Sequence, residues 1–358
     1  MSTPVWIYLE NGLFLKAKHF GKSGTRVGRL TFASLMSGYE ELITNPCTKD
    51  EFIVFTMPEV GVVGINALDA QSSNIYANLI IKRLNEKPSN FNSKKSLREF
   101  FDSNDGFGIY DIDTRLLAKL SKDKKSFMMV ASTKISNKDE LKQILNESKN
   151  YSKLDLISNL KNEDNFSCEK DGKKIAILDL GVNRSLLKLL CDSGFKATIY
   201  PANTKVSKIN EDIKAKNISG VLISNGPGDP HSYTNIIKNI KELISAKVPI
   251  LGLNLGEKLI SLALGYELKD SSSWNYGGSY PVKNLKSGQV EVAIMKNLYS
   301  LSEEILNISE QNYISLKDES IAGVSFKNYP IITANFMFEL NPNSNESKEV
   351  LKAFSSLL

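Results

Sequence analysis

Histidine is the scarcest functional residue of this 358-residue chain, which holds only His19 and His231. Imidazole alone among side chains has an ordinary pKa near neutrality, so candidates for a general base are few. Cysteine is nearly as scarce. Cys47, Cys168 and Cys191 show no C-x-x-C spacing and no even framework, so they indicate neither a zinc site nor a disulfide scaffold and read as thiols. Cys191 ends the apolar stripe of Leu186, Leu187 and Leu190 and is expected in the core. No stretch approaches the roughly 20 apolar residues of a membrane span. The start, Met1-Ser2-Thr3-Pro4, lacks the basic and apolar regions of a signal peptide. The expectation is a soluble, cytoplasmic protein without a membrane role. Net charge of +5 comes from lysines interspersed with acids, without an aromatic-basic stripe, which argues against a nucleic-acid partner.

The chain is long enough for two domains, and 41% hydrophobic residues suffice for ordinary cores. Residues 1–133 read as short strands with one or two helices. Val5-Trp6-Ile7-Tyr8-Leu9 leads through Glu10-Asn11-Gly12 into Leu13-Phe14-Leu15, a hairpin with Asn-Gly at its tip. Further strands are expected over 27–32, 51–57 and 78–84, and helices over 96–102 and 113–121. Residues 134–174, rich in Lys, Asn, Ser, Asp and Glu, read as a partly helical linker, least structured over 159–174. In 175–358 the pattern changes to strand 174–179, helix 183–191 closed by Gly194, strands 196–200 and 220–224, helix 233–245 and strand 249–253. Such alternation predicts a parallel, doubly wound sheet. The fold class is therefore α/β, a mixed β/α domain followed by a doubly wound one. Ligands of such sheets bind beyond the carboxyl ends of the strands, where Gly181, Asn225 to Pro230 and Asn254 should gather.

Val248 to Ile260 reads as an apolar strand, a glycine-flanked turn and the start of a helix, with Asn254 at the turn. This is a nucleophile elbow: one side chain stands above the sheet at a helix N-terminus, where backbone N–H groups favour a developing anion. A thiolate there would be activated, whereas an amide is a poor nucleophile with no proton for a base to take. Asn tolerates positive φ, so Asn254 can keep the elbow backbone. Upstream, Ser224-Asn225-Gly226-Pro227-Gly228-Asp229-Pro230 follows a strand and forms a rigid turn whose N–H groups can approach a ligand as an oxyanion site requires.

On these motifs the second half resembles the class I, triad-type glutamine amidotransferases. The whole chain resembles the small, glutamine-hydrolysing subunit family of carbamoyl-phosphate synthetase, through Leu9-Glu10-Asn11-Gly12, Met36 to Glu41, Asp111-Ile112-Asp113-Thr114-Arg115, Asp179 to Arg184 and Tyr280 to Leu285. The resemblance implies a Cys–His–Glu triad that hydrolyses glutamine and a large-subunit partner that makes carbamoyl phosphate with ATP and Mg²⁺. No cofactor or metal is expected on this chain. Carried over residue by residue, the nucleophile falls on Asn254, the general base on Met337 and the orienting acid on Glu339. The histidine after the elbow falls on Glu257. Substrate-holding positions fall on Leu35, Gly226, Gly228, Leu255, Lys258, Lys296, Leu298 and Tyr299.

Without a thiol no acyl-enzyme forms, and without an imidazole no proton reaches the leaving ammonia. Leu35, Met337, Phe338 and Leu298 suggest a former polar pocket filled by apolar side chains. Glu257 and Lys258 are expected to be solvated, or Lys258 to pair with Glu339. His231 is expected to face solvent. The leading expectation is a non-catalytic small-subunit homologue that still serves a large subunit. The alternatives are a repurposed binding or scaffold protein and an active glutamine-hydrolysing subunit.

Overall fold

The computed structural model describes residues 3–33, 38–66, 68–120, 127–148, 155–158, 160, 168–271, 276–296, 298–338 and 345–358. The chain divides into two compact units, Met1–Leu154 with Trp274–Gly278 and Asp155–Ser273 with Ser279–Leu358.

In the first unit the strands close into a ring. Thr3–Leu9 and Phe14–Gly21 form the expected hairpin, with Tyr8 opposite Phe14 and Gly12 at φ 90° in the turn. A parallel run of Thr25–Ala33, Phe52–Phe55, Asn78–Ile80 and Phe107–Tyr110 returns antiparallel to Phe14–Gly21. Phe127–Ser132 bridges Thr3–Leu9 and Thr25–Ala33. Closure leaves no free edge in the ring. Val5, Ile7, Phe52, Val54, Phe107 and Met129 fill one core of this unit. Helix Leu97–Ser103 starts at a capping box of Ser96 and Glu99. Helix Lys138–Glu147 lies within the stretch read as a linker and is capped by Asn137. Its Leu141 and Leu145 pack on Tyr8 and Val130, so the helix belongs to this unit's core.

The second unit holds the doubly wound sheet. Phe195–Pro201, Lys173–Asp179, Val221–Ile223, Ile250–Leu253 and Ile331–Ala334 run parallel in that order. Ile321–Phe326 and Ser309–Ser315 extend the sheet antiparallel. Strand alternation splits the apolar residues between two faces. Ala176, Leu178, Val221, Ile223 and Ile250 meet helices Val206–Lys214, Thr234–Ser245 and Leu255–Ala263. Ile175, Ile177, Leu222, Leu251 and Ile332 meet Arg184–Asp192 and Asn345–Leu357. The connection from Phe195–Pro201 to Val221–Ile223 carries a helix, Val206–Lys214, that the sequence reading left unassigned. Its apolar side rests on few residues, Val206 and Ile209 being the buried ones. Among the described residues no helix is long and apolar enough to cross a membrane.

The cysteine expectation is corrected here. Cys168 and Cys191 are joined in a disulfide with Cα atoms 5.7 Å apart. Cys191 is half-buried near the end of its helix, because the helix turns its leucines to the core. Cys47 lies outside that disulfide and is buried. The bridge clips the segment entering the first strand of this unit to helix Arg184–Asp192, beside an exposed Lys170–Asp192 ion pair of 2.5 Å. Spacing alone could not reveal this, since the two thiols lie 23 positions apart across a strand, a loop and a helix that fold back on each other. Cross-linking over such a separation restricts the unfolded chain. Reduction, or Cys168→Ser, is expected to lower unfolding free energy by about 3 kcal/mol, read as a lower urea midpoint. Equal midpoints with and without dithiothreitol would mean the two thiols are not joined in solution.

Candidate functional site

The site is built at the carboxyl ends of three adjacent parallel strands, Val221–Ile223, Ile250–Leu253 and Ile331–Ala334. Asn254 follows the middle strand and caps helix Leu255–Ala263 with φ 47° and ψ −98°. That is a strained conformation for a side-chain-bearing residue, worth roughly 1–3 kcal/mol. Three contacts hold it. Asn254 N donates to Ala334 O at 2.9 Å, its Nδ2 donates to Phe336 O at 3.0 Å, and its own carbonyl accepts from Lys258 Nζ at 3.1 Å. The amide is turned toward the third strand's exit, so Asn254 makes no side-chain cap bond to its helix. Helix and sheet pack closely enough here that a Cβ on Gly256 would collide with Ile223 O.

Glu257 and Lys258 are buried, 1% and 4% exposed, which corrects the expectation of solvated side chains. The first turn of this helix lies on the sheet, and both residues face inward with it. Lys258 Nζ also donates to Asn335 Oδ1 at 2.6 Å, so its partners are Asn254 and Asn335. Glu257 Oε1 accepts from Thr333 Oγ1 at 2.8 Å, while Oε2 has no partner among the described residues. Burial raises the Glu257 carboxyl above its ordinary range and lowers the Lys258 ammonium, and the charge of each opposes the other's shift. Asn335 and Thr333 escaped the sequence reading. The signal that could have found them was their position at the exit of a strand adjoining the elbow strand.

Asn225, Gly226, Gly228, Pro230, Asn254, Leu255, Lys258, Leu298 and Tyr299 surround a pocket of about 30 Å³. Ligand pockets usually span roughly 300–1,000 Å³. The structure thus brings together Asn254, Gly226, Gly228, Leu255, Lys258, Leu298 and Tyr299. Gly226 N–H is engaged by Asn225 Oδ1 at 2.8 Å. Asn225 Nδ2 and Asn254 Oδ1 are buried without partners among the described residues. Asp229 accepts from the Tyr299 hydroxyl at 2.9 Å and lies 2.8 Å from His231 Nδ1, with the His231 side chain 43% exposed.

The expected apolar filling needs correcting. Met337 and Phe338 are buried but do not line the pocket. Phe338 joins Phe336 and Tyr313 in the core behind the sheet, and Met337 N–H donates to Ile294 O at 2.8 Å. The chain leaves the strand at Ala334 and turns these side chains inward. Of the expected residues Leu298 does line the space, together with Leu255, Tyr299 and the amide of Asn254. Leu35, Glu339 and the Lys296 side chain lie outside the described residues.

A doubly wound sheet with an elbow beside a Gly-Pro-Gly loop defines a class I glutamine amidotransferase domain, and the family of that description matches residues 176–354. The carbamoyl-phosphate synthase small chain, CPSase domain, matches residues 7–131. A carbamoyl phosphate synthase small chain of Campylobacter jejuni is 36% identical over 369 residues, covering 99% of both chains. That of Helicobacter pylori strain 26695 is 38% identical over 371 residues, again covering 99% of both. The chloroplastic small chain of Arabidopsis thaliana is 30% identical, covering 98% of this chain and 85% of its own. The chain belongs to the carbamoyl-phosphate synthase small-chain family.

The buried charges make a testable pH signature. A carboxyl whose folded pKa is raised binds protons more readily folded than unfolded, so stability falls as pH climbs from the ordinary value of 4.5 toward the raised one. Lys258 offsets part of that loss. Lys258→Met is expected to cost about 3 kcal/mol near neutrality, and less at acid pH where Glu257 is protonated. Urea midpoints at stepped pH would read this. A variant as stable as the parent at every pH would refute the buried-charge account.

Proposed function

We propose that this chain is a small-chain homologue that does not hydrolyse glutamine and acts as a structural or regulatory partner of a large synthetase subunit. One observation carries the reading: the elbow side chain is an amide, held by Phe336 O. The sequence has no cysteine after Cys191 and no histidine after His231, while the general-base position is the buried thioether Met337. An acyl-enzyme needs an ionisable nucleophile, and ammonia departure needs a proton donor. The small pocket and the engaged Gly226 N–H add to the case, because a carbonyl substrate would find neither room nor one of its oxyanion donors.

The partner follows from the names of the relatives, which are small chains of carbamoyl phosphate synthases. ATP and Mg²⁺ are assigned to that partner in this reading, and the carbamoyl group's nitrogen comes from free ammonia or from another glutaminase. Purified chain, alone and with its cognate large subunit, is expected to release no glutamine-dependent ammonia, while the complex makes carbamoyl phosphate from ammonium. Loss of a triad member ordinarily costs several orders of magnitude, so even slow release at saturating glutamine would overturn the proposal. Absence of both release and complex would favour a repurposed binding protein. Asn254→Cys with Met337→His is expected to fall short of a working site, because Lys258 and Asn225 still occupy it.

A further inference from the structure

We infer that the first unit carries a basic groove that docks an acidic segment of the large subunit; this rests on the partner proposed above. The groove has a volume of about 410 Å³ and is lined by Thr56, Lys82, Arg83, Asp113, Thr114 and Arg115 among others. Those residues follow three neighbouring parallel strands, Phe52–Phe55, Asn78–Ile80 and Phe107–Tyr110, so three strand exits gather them at one end of the sheet. Parallel sheets place their binding loops at this end.

The groove is charged in one sense. It sets three cations, Lys82, Arg83 and Arg115, against one carboxylate, Asp113. Asp113 is already engaged, its Oδ1 accepting from Arg115 N at 3.0 Å and Leu116 N at 3.1 Å at the start of helix Thr114–Leu120. Asp111, just past the third strand, lies 2.9 Å from Lys18. Glu59 comes only within 3.7 Å of Arg83, whose side chain is 73% exposed. Among the described residues Lys82 and Arg115 form no ion pair. Like charges gathered around one groove repel, a cost that an acidic partner removes. Each arginine can also meet a carboxylate with two parallel N–H donors.

The walls decide the kind of partner. Thr114 is buried, whereas Thr56, Lys82, Arg83, Asp113 and Arg115 are exposed. A small-molecule site encloses most of its ligand, which walls this open do not. Leu116, next to Arg115, is 39% exposed and offers an apolar contact beside the cations. Arginines at the edge of an apolar contact suit the carboxylates of a protein segment.

The test compares binding of the cognate large subunit by the full chain, by Lys82→Glu and by Arg115→Glu, at low and high salt. Each reversal is expected to weaken the complex about tenfold, mainly through slower association. High salt should weaken the unaltered complex more than either variant's. Lys241→Glu makes the same charge change at an exposed position on helix Thr234–Ser245 of the other unit, and should bind as the unaltered chain does. Thermal unfolding checks that each variant is folded; should Arg115→Glu fail to fold, Lys82→Glu decides alone. A complex that both reversals leave unchanged, or that Lys241→Glu weakens equally, overturns the groove while the partner reading stands. No complex with the unaltered chain overturns both. Saturable binding of inorganic phosphate or citrate by the chain alone, lost in Arg115→Glu while the complex is unaffected, would make the groove a small-anion site and overturn the docking.

Discussion

The clamp on Asn254 is the constraint around which the second unit's site is arranged. The strand Ile250–Leu253 must turn sharply into helix Leu255–Ala263, and it does so through a residue at φ 47°. Bonds from Asn254 to Ala334 and Phe336 tie that turn to the neighbouring strand's exit. Those bonds offset the backbone strain and set where the following strand's chain leaves the sheet. The elbow turn is present, and its side chain is part of the structure that holds it.

The same geometry explains why charged residues lie beneath it. The helix's first turn is pressed on the sheet, so Glu257 and Lys258 are buried wherever their side chains point. Lys258 meets this by reaching carbonyl and amide oxygens, and Glu257 by a threonine hydroxyl. A buried charge pair seldom adds stability, since desolvation about matches the attraction. Its effect here is to hold the Lys258 ammonium on Asn254 and Asn335 at the floor of the pocket, while Glu257 Oε2 accepts from no described residue.

Much of the fold was legible because it rests on local chemistry. Asn11-Gly12 marked the hairpin, a helix was expected over 96–102, and the apolar runs at 175–179, 221–223 and 250–253 marked the parallel strands. Helix Val206–Lys214 was missed because it is amphipathic with a thin apolar side, Val206 and Ile209 being its buried residues. Helix Lys138–Glu147 was legible as a helix but not in its allegiance, since polar composition hides the Leu141 and Leu145 contacts that attach it to Tyr8 and Val130. At the site, the glycines, Asn254, Leu255, Lys258, Leu298 and Tyr299 were placed together by the family resemblance carried over residue by residue. The inward turn of Phe338 was not, because a hydrophobic residue next to a site reads the same whether it fills the pocket or the core behind it.

The sequence by itself determined the α/β class, the elbow and the absence of a thiol and an imidazole where such chemistry would need them. These follow from residue identity and from periodicities of a few residues, which local sterics and hydrogen bonding translate directly into structure. Only the tertiary structure decided that the Asn254 amide reaches Phe336, 82 positions away, that the Lys258 ammonium reaches Asn335, 77 away, and that Cys168 meets Cys191. Each of these joins groups from different elements, and their distance is set by how strands and helices pack, a property that no stretch of sequence contains alone.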